Sequence, residues 1–163
     1  MHIDKVIEEA LNQQIYYEFK SAFAYLSLAT ALGKTHYAGF ENWMRKQYEE
    51  ELEHAKKLYD YIEERQGSVQ LSNIEIPQYD TVTPLEAFKL AYDLEIENTK
   101  HIHGVYALAV KNNDYPTQTF LHWFINEQTE EEKNCQDYIA LLSAAKDCES
   151  ALFMLDHEAK KRA

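Results

Sequence analysis

The chain has 163 residues, an ordinary size for one domain with its own core. Hydrophobic residues make up 45% and charged residues 27%, with only 4 Gly and 3 Pro, which excludes collagen-like, low-complexity and turn-rich all-β chains and leaves long helices. A formal charge of −12 repels phosphate backbones and anionic lipid and concentrates cations in any cleft, so no nucleic-acid or membrane partner is expected.

The chain opens Met1-His2-Ile3-Asp4 with no basic region leading into an apolar stretch, so a cytoplasmic location is expected. Helix A is predicted from Asp4 to Leu32, closed by Gly33 as a left-handed C′ residue. Its uncharged run, Ser21 to Gly33, counts 13 residues, short of the ~20 that cross a bilayer. Helix B runs from Tyr37 to Gln66 and stops at Gly67. Residues 67–82 contain Pro77 and no sustained helical period, after which Thr83-Pro84-Leu85-Glu86 supplies an N-cap, a Pro at N1 and a capping-box Glu. Helix C therefore starts at Pro84 and runs to Lys111. Asn112-Asn113-Asp114-Tyr115-Pro116 makes a turn, and helix D runs from Pro116 to Ala145. Cys135 and Cys148 form no C-x-x-C pair, which excludes a disulfide framework or thiolate metal site within the chain, and both read as buried small hydrophobes. A fifth helix follows from Glu149. No repeat or linker composition supports a second domain, so residues 1–163 read as one unit, with a bundle over about 4–145 and a short helix over about 149–161.

The connection between B and C carries the topology. Its sixteen residues, 67–82, reach ~50 Å when extended, whereas helix B is ~45 Å long. Short A/B and C/D turns force antiparallel hairpins, and a connection that spans the bundle lets C start beside the start of B. The expected fold is all-α, a four-helix bundle with one long crossover.

Each long helix carries an apolar stripe that a metal-competent side chain interrupts near its middle. Helix A reads Leu11, Glu18, Tyr25, Leu32, and helix B reads Met44, Glu51, Leu58 beside Gln47, His54, Tyr61. Helix C reads Phe88, Glu95, Ile102, Ala109; helix D reads Phe124, Glu131, Tyr138 beside Leu121, Gln128, Cys135. The heights agree as well. Glu18 and Glu51 lie 16 residues before and 17 after Lys34 in one turn, and Glu95 and Glu131 each lie 18 from Asn113 in the other. Four buried carboxylates in one layer repel each other and cost several kcal/mol each unless neutralised. The stripes hold no Lys or Arg at this level, which leaves metal ions or shared protons. Glu51-x-x-His54 sets a carboxylate and an imidazole one turn apart on one face, and oxygen ligands with one nitrogen suit iron or manganese better than structural zinc.

Glu18, Glu51-Leu52-Glu53-His54, Glu95 and Glu127-Gln128-Thr129-Glu130-Glu131 resemble the di-iron pattern of the ferritins along the whole chain. The ferritin-like template takes a Glu from each of two helices and Glu-x-x-His from the other two. Helix D departs from it, having Glu127-x-x-Glu130 and Glu131 without His, and is similar to haem-free prokaryotic ferritins. Leu52 stands where bacterioferritins carry their haem-ligating Met, so no haem is expected. The resemblance implies iron storage with ferroxidase activity, in which dioxygen oxidises two ferrous ions and ferric mineral collects in a homo-oligomeric cage of twenty-four subunits. It implies one iron at Glu18, Glu51 and His54 and a second at Glu51, Glu95 and Glu131, with Glu51 bridging. Gln128 sits beside the pair, a third and weaker iron uses Glu50, Glu127, Glu130 and Glu131, and Tyr25 matches the family's redox-active tyrosine.

Other readings stand beside this one. A rubrerythrin-like di-iron peroxidase is the alternative, opposed by the missing C-x-x-C pairs and helix D His, and a purely structural bundle would need a protonated, metal-free layer. Mini-ferritins build their site between subunits, whereas here every ligand lies in one chain. Taken singly, Glu50 and Glu53 read as a solvated acidic face, Tyr25 as core, and His101, His103, His122 and His157 as surface residues. Trp43 and Trp123 read as packing residues. The tail, with Leu152, Phe153 and Leu155, is amphipathic; it either lines a symmetry-axis channel, as in the family, or docks on its own bundle.

Overall fold

The computed structural model describes residues 2–163, which fold into five helices: α1 (Lys5–Leu32), α2 (Ala38–Glu64), α3 (Pro84–Lys111), α4 (Tyr115–Ala145) and α5 (Glu149–Ala159). The caps explain the starts. Asp4 accepts from the Val6 amide at 2.9 Å, and Asp114 accepts from the Thr117 amide at 3.2 Å. Thr83 and Glu86 form the expected capping box, with Glu86 accepting from the Thr83 amide at 2.8 Å.

The ends differ from expectation. Gly33 is right-handed, at φ −61°, and among the described residues no glycine has positive φ. Gln66, Asn113 and Lys146 take the left-handed positions instead. Helix α2 stops at Glu64, where the Gly67 amide donates to Ile62 O at 2.8 Å and the Gln66 amide to Glu63 O at 2.9 Å, so Gly67 is the residue after the left-handed one. Its lack of a side chain serves close packing: a Cβ there would lie 2.8 Å from Ile62 Cγ2 and 2.9 Å from Ile3 Cγ2.

Pairings fix the crossover topology. Gln47 meets Glu131 and Tyr61 meets Thr117, so α2 and α4 run antiparallel, while Tyr25–Glu95 and Gln14–Asn98 set α1 antiparallel to α3. Phe40 and Trp43 at the start of α2 pack on Phe88 at the start of α3, with ring centroids 5.9 and 4.7 Å apart, so these two helices are parallel. The connection between them runs the length of α1. Its Ser68 amide donates to Glu8 at 2.9 Å near one end, and Lys34 donates to Asp80 O at 2.9 Å near the other.

Two apolar clusters fill the bundle, one around Leu28, Phe40, Trp43 and Phe88, the other around Ile7, Leu11, Leu58 and Phe124. The polar layer lies between them. Arg65 and Asp114, 3.0 Å apart and largely buried, tie the end of α2 to the start of α4. Helix α5 docks on the bundle: Asp156 accepts from the Phe40 amide at 2.8 Å, capping α2 where Tyr37 supplies no side-chain cap. Gly39 permits this approach, since a Cβ would fall 1.7 Å from Asp156 O. Phe153 and Met154 on the other side of α5 remain exposed. Cys135 is buried as expected, but Cys148 is exposed at the N-cap of α5, ahead of the helix's buried face. Half-buried His101 stacks on Tyr17 at 3.5 Å. Among the described residues, no helix is long and apolar enough to cross a membrane.

Candidate metal centre

Glu18, Glu51, Glu95 and Glu131, one from each long helix, are all buried in the layer between the apolar clusters, and His54 joins them from the turn after Glu51. His54 Nδ1 lies 3.4 Å from Glu51 Oε2 and 3.9 Å from Glu18 Oε2. The rings of Trp123 and Phe124 stand steeply to the imidazole, at 86° and 74°, with centroids 5.3 and 6.0 Å away.

Neutral donors orient the carboxylates. Gln14 donates to Glu18 Oε1 at 2.8 Å and Asn98 to Glu18 Oε2 at 3.1 Å. One Gln47 amide serves two helices, donating to Glu51 Oε1 at 3.1 Å and Glu131 Oε2 at 2.7 Å. The Tyr25 hydroxyl donates to Glu95 Oε1, and Gln128 donates to Glu95 Oε2 at 3.1 Å. Among the described residues three buried side-chain atoms have no hydrogen-bond partner, Gln14 Oε1, Glu51 Oε2 and His54 Nδ1, and the last two face each other. Buried polar atoms are rarely left so, and a carboxylate oxygen beside an imidazole nitrogen is a donor set for a cation.

The electrostatics agree. Burial, and next the charge of Glu51, pushes Glu18 well above the usual carboxylate range; burial with Glu95 and Glu131 does the same to Glu51. Burial, then Glu95 and Glu50, pushes Glu131 up to about 8. Glu95 is raised by burial against the opposing pull of the Tyr25 and Gln128 hydrogen bonds. Such a layer holds protons or divalent cations, and a cation takes it by displacing protons.

Among the described residues, two groups of ligand atoms come within 4.8 Å of one another: Glu18, Glu51 and His54, and His54, Glu127 and Glu131. Among the described residues the expected trio Glu51, Glu95 and Glu131 does not gather in this way; both Glu95 oxygens accept hydrogen bonds, from Tyr25 and Gln128. Glu50, Glu127 and Glu130 line a pocket of about 380 Å³ beside His54 and Glu131. There Glu130 is exposed, Glu127 half-buried, and Glu50 paired with Arg162 at 2.7 Å. Sequence reading missed Gln14, Asn98 and the roles of Gln47 and Arg162. A signal for the first three existed: Gln14 and Gln47 each precede a layer Glu by four residues, and Asn98 follows Glu95 by three, all on the inward stripe. Arg162 had none, since its approach depends on how α5 docks.

A ferritin-like domain model matches residues 8–145. The bacterial non-heme ferritin of Staphylococcus aureus is 34% identical over 156 residues, covering 96% of this chain and 94% of that one. Its counterpart in Staphylococcus haemolyticus is 34% identical over 160 residues, covering 98% and 96%. Among solved structures, an open pore ferritin from the archaeon Archaeoglobus fulgidus superposes with a TM-score of 0.95 at 40% identity, covering 99% of both chains. A humanized archaeal ferritin superposes at 0.96 with 39% identity, covering 99% of this chain and 98% of that one. The chain belongs to the ferritin family of iron-storage proteins, and its buried carboxylate and histidine cluster has the chemistry to hold iron.

Proposed function

We propose that this protein is a ferroxidase as well as an iron store, taking ferrous iron and dioxygen as substrates. The observation that carries the reading is the pair of orphaned atoms, Glu51 Oε2 and His54 Nδ1, 3.4 Å apart in a buried carboxylate layer. Glu18, Glu51 and His54 hold one ferrous ion. Glu51, Glu95 and Glu131 hold a second, with Glu51 shared, once Glu95 exchanges a present hydrogen bond for the metal. The two ferrous ions give one electron each to dioxygen, which takes up two protons and leaves as hydrogen peroxide. Where Tyr25, hydrogen-bonded to Glu95, and a third ferrous ion add one electron each, the same dioxygen takes four electrons and four protons and leaves as two waters; Gln128 keeps Glu95 oriented. Glu50, Glu127 and Glu130, with Glu131, take a third and weaker ion on its way to the mineral.

Burial makes the layer selective. The amides of Gln14, Asn98, Gln47 and Gln128 fix the ligands without contributing positive charge, so the cations supply the neutralisation. The family membership and the structural likeness to archaeal ferritins support a homo-oligomeric cage, proposed here to have twenty-four subunits, in the cytoplasm. The chain is taken to act as one domain. In an aerobic stopped-flow titration, the fast ferric absorbance is expected to grow up to two ferrous ions per chain and then level off. Growth without a break at that ratio would contradict a two-iron oxidation site.

A further inference from the structure

Among the described residues, the charged side chains that line the acidic pocket are carboxylates and one guanidinium, with the Lys57 ammonium outside the lining, 4.4 Å over the Trp123 ring. Glu50, Glu53, Glu127, Glu130 and Glu131 line it together with His54, and Arg162 alone brings a permanent positive charge. Arg162 lies beyond α5 and reaches back along one face of α2. Its guanidinium sits 4.3 Å over the Trp43 ring, donates to Gln47 Oε1 at 2.8 Å and pairs with Glu50 Oε2 at 2.7 Å. Trp43, Gln47 and Glu50 are spaced i, i+4 and i+7, so the arginine follows a single stripe. Asn42 secures its backbone, donating to Arg162 O at 3.3 Å. The side chain is 18% exposed, a held cation rather than a solvated one.

A carboxylate that already accepts from a guanidinium at 2.7 Å binds a second cation at a penalty. The incoming ion must displace the arginine or share Glu50 with it, and two positive charges on one carboxylate repel. The stacking on Trp43 and the bond to Gln47 keep the arginine close by after displacement, so it returns when the ion leaves.

We propose that Arg162 is a tethered competitor for the third ferrous ion, holding Glu50 while the pocket is empty of iron and setting how weakly that ion is bound. The inference rests on the proposed third-ion role of the pocket. It makes Arg162 a determinant of how readily iron passes from the buried layer outward: a pocket without it would retain the ion that should move on.

The test is a calorimetric titration of the iron-free assembled protein with ferrous ammonium sulfate under argon, comparing wild type, R162Q and R162K. Wild type is expected to show two tight ions and one weak ion per chain. R162Q, which removes the charge, is expected to tighten the weak step about fivefold relative to the tight ones, the scale of a partly exposed ion pair. R162K keeps a cation near Glu50 but loses the planar stacking on Trp43, and is expected to tighten the weak step by clearly less than R162Q. A weak step that is unchanged or weaker in R162Q overturns the competition. Equal tightening in R162K and R162Q also overturns it, since lost packing on Trp43 would then be the cause. Two tight ions with no weak step in any of the three proteins overturns the pocket reading itself and the inference with it.

Discussion

Glu51 is the residue on which the proposed two-iron arrangement depends, because it stands 3.4 Å from His54 Nδ1 and shares a Gln47 amide with Glu131. Glu51→Ala is therefore expected to abolish fast ferrous oxidation. Glu130→Ala, at an exposed wall of the neighbouring pocket, is expected to leave the first oxidation intact and change only later turnover, both read as the ferric absorbance rise in stopped flow. Equal losses in the two variants would remove the division into two tight sites and a weaker one. The same carboxylates set a pH dependence. Burial, then the charges of Glu95 and Glu50, push Glu131 up to about 8, so below that pH the metal-free fold holds a proton there that the unfolded chain releases. Stability from this proton is fully present below the unfolded value and is lost as pH rises through about 8, at about 1.4 kcal/mol per pH unit for each such group. The melting temperature of metal-free protein is thus expected to fall between pH 6 and 8.5, and anaerobic ferrous ion is expected to reverse the trend, because iron displaces protons. A metal-free melting temperature that does not fall over that interval would show that the layer is already ionised.

The helices and their heights were legible because burial repeats every seven residues and caps punctuate the chain. Glu18, Glu51, Glu95 and Glu131 interrupt those stripes at matching distances from the turns, so helical geometry alone levels them. The crossover was legible from its length. What escaped depends on contacts between elements distant in sequence. Asp156 caps α2 from 116 residues away, and Gly39 reads as an ordinary weak helix residue until the Asp156 carbonyl is seen against it. The left-handed turns at Gln66, Asn113 and Lys146 bypass the glycines that propensity favours, since Gly67 is needed for close packing. Glu95 facing Tyr25 rather than the other layer carboxylates is likewise a matter of which donors surround it. Docking of α5 gives an element-level prediction. Gly39→Ala would place a methyl group 1.7 Å from a backbone oxygen, and the overpacking is expected to cost about 3 kcal/mol. Calorimetric melting is expected to fall by roughly 6–12 °C, and α5 is expected to become open to proteolysis. An unchanged melting temperature with α5 still protected would mean that the contact between Asp156 and the start of α2 is not structural.

The whole molecule, of formal net charge −12, joins an acidic surface to a buried layer that takes cations by giving up protons. Acidic surfaces raise the local concentration of ferrous ion, neutral amides hold the layer open to it, and Arg162 stands at the pocket beside it. Exposed Phe153 and Met154 on α5, and exposed Leu71 on the crossover, give the chain apolar surface to bury against further copies in the proposed cage. Storage and oxidation separate cleanly at this scale, because a two-iron enzyme stops at its sites whereas a store does not. The decisive measurement adds a large excess of ferrous iron in air to the purified protein and follows iron and protein together through size-exclusion chromatography. Iron co-eluting far above the stoichiometry of the metal sites, at the size of a large cage, is the expected result. Iron held at only about two per chain on a small oligomer would contradict storage and leave a di-iron oxidoreductase of the rubrerythrin-like kind.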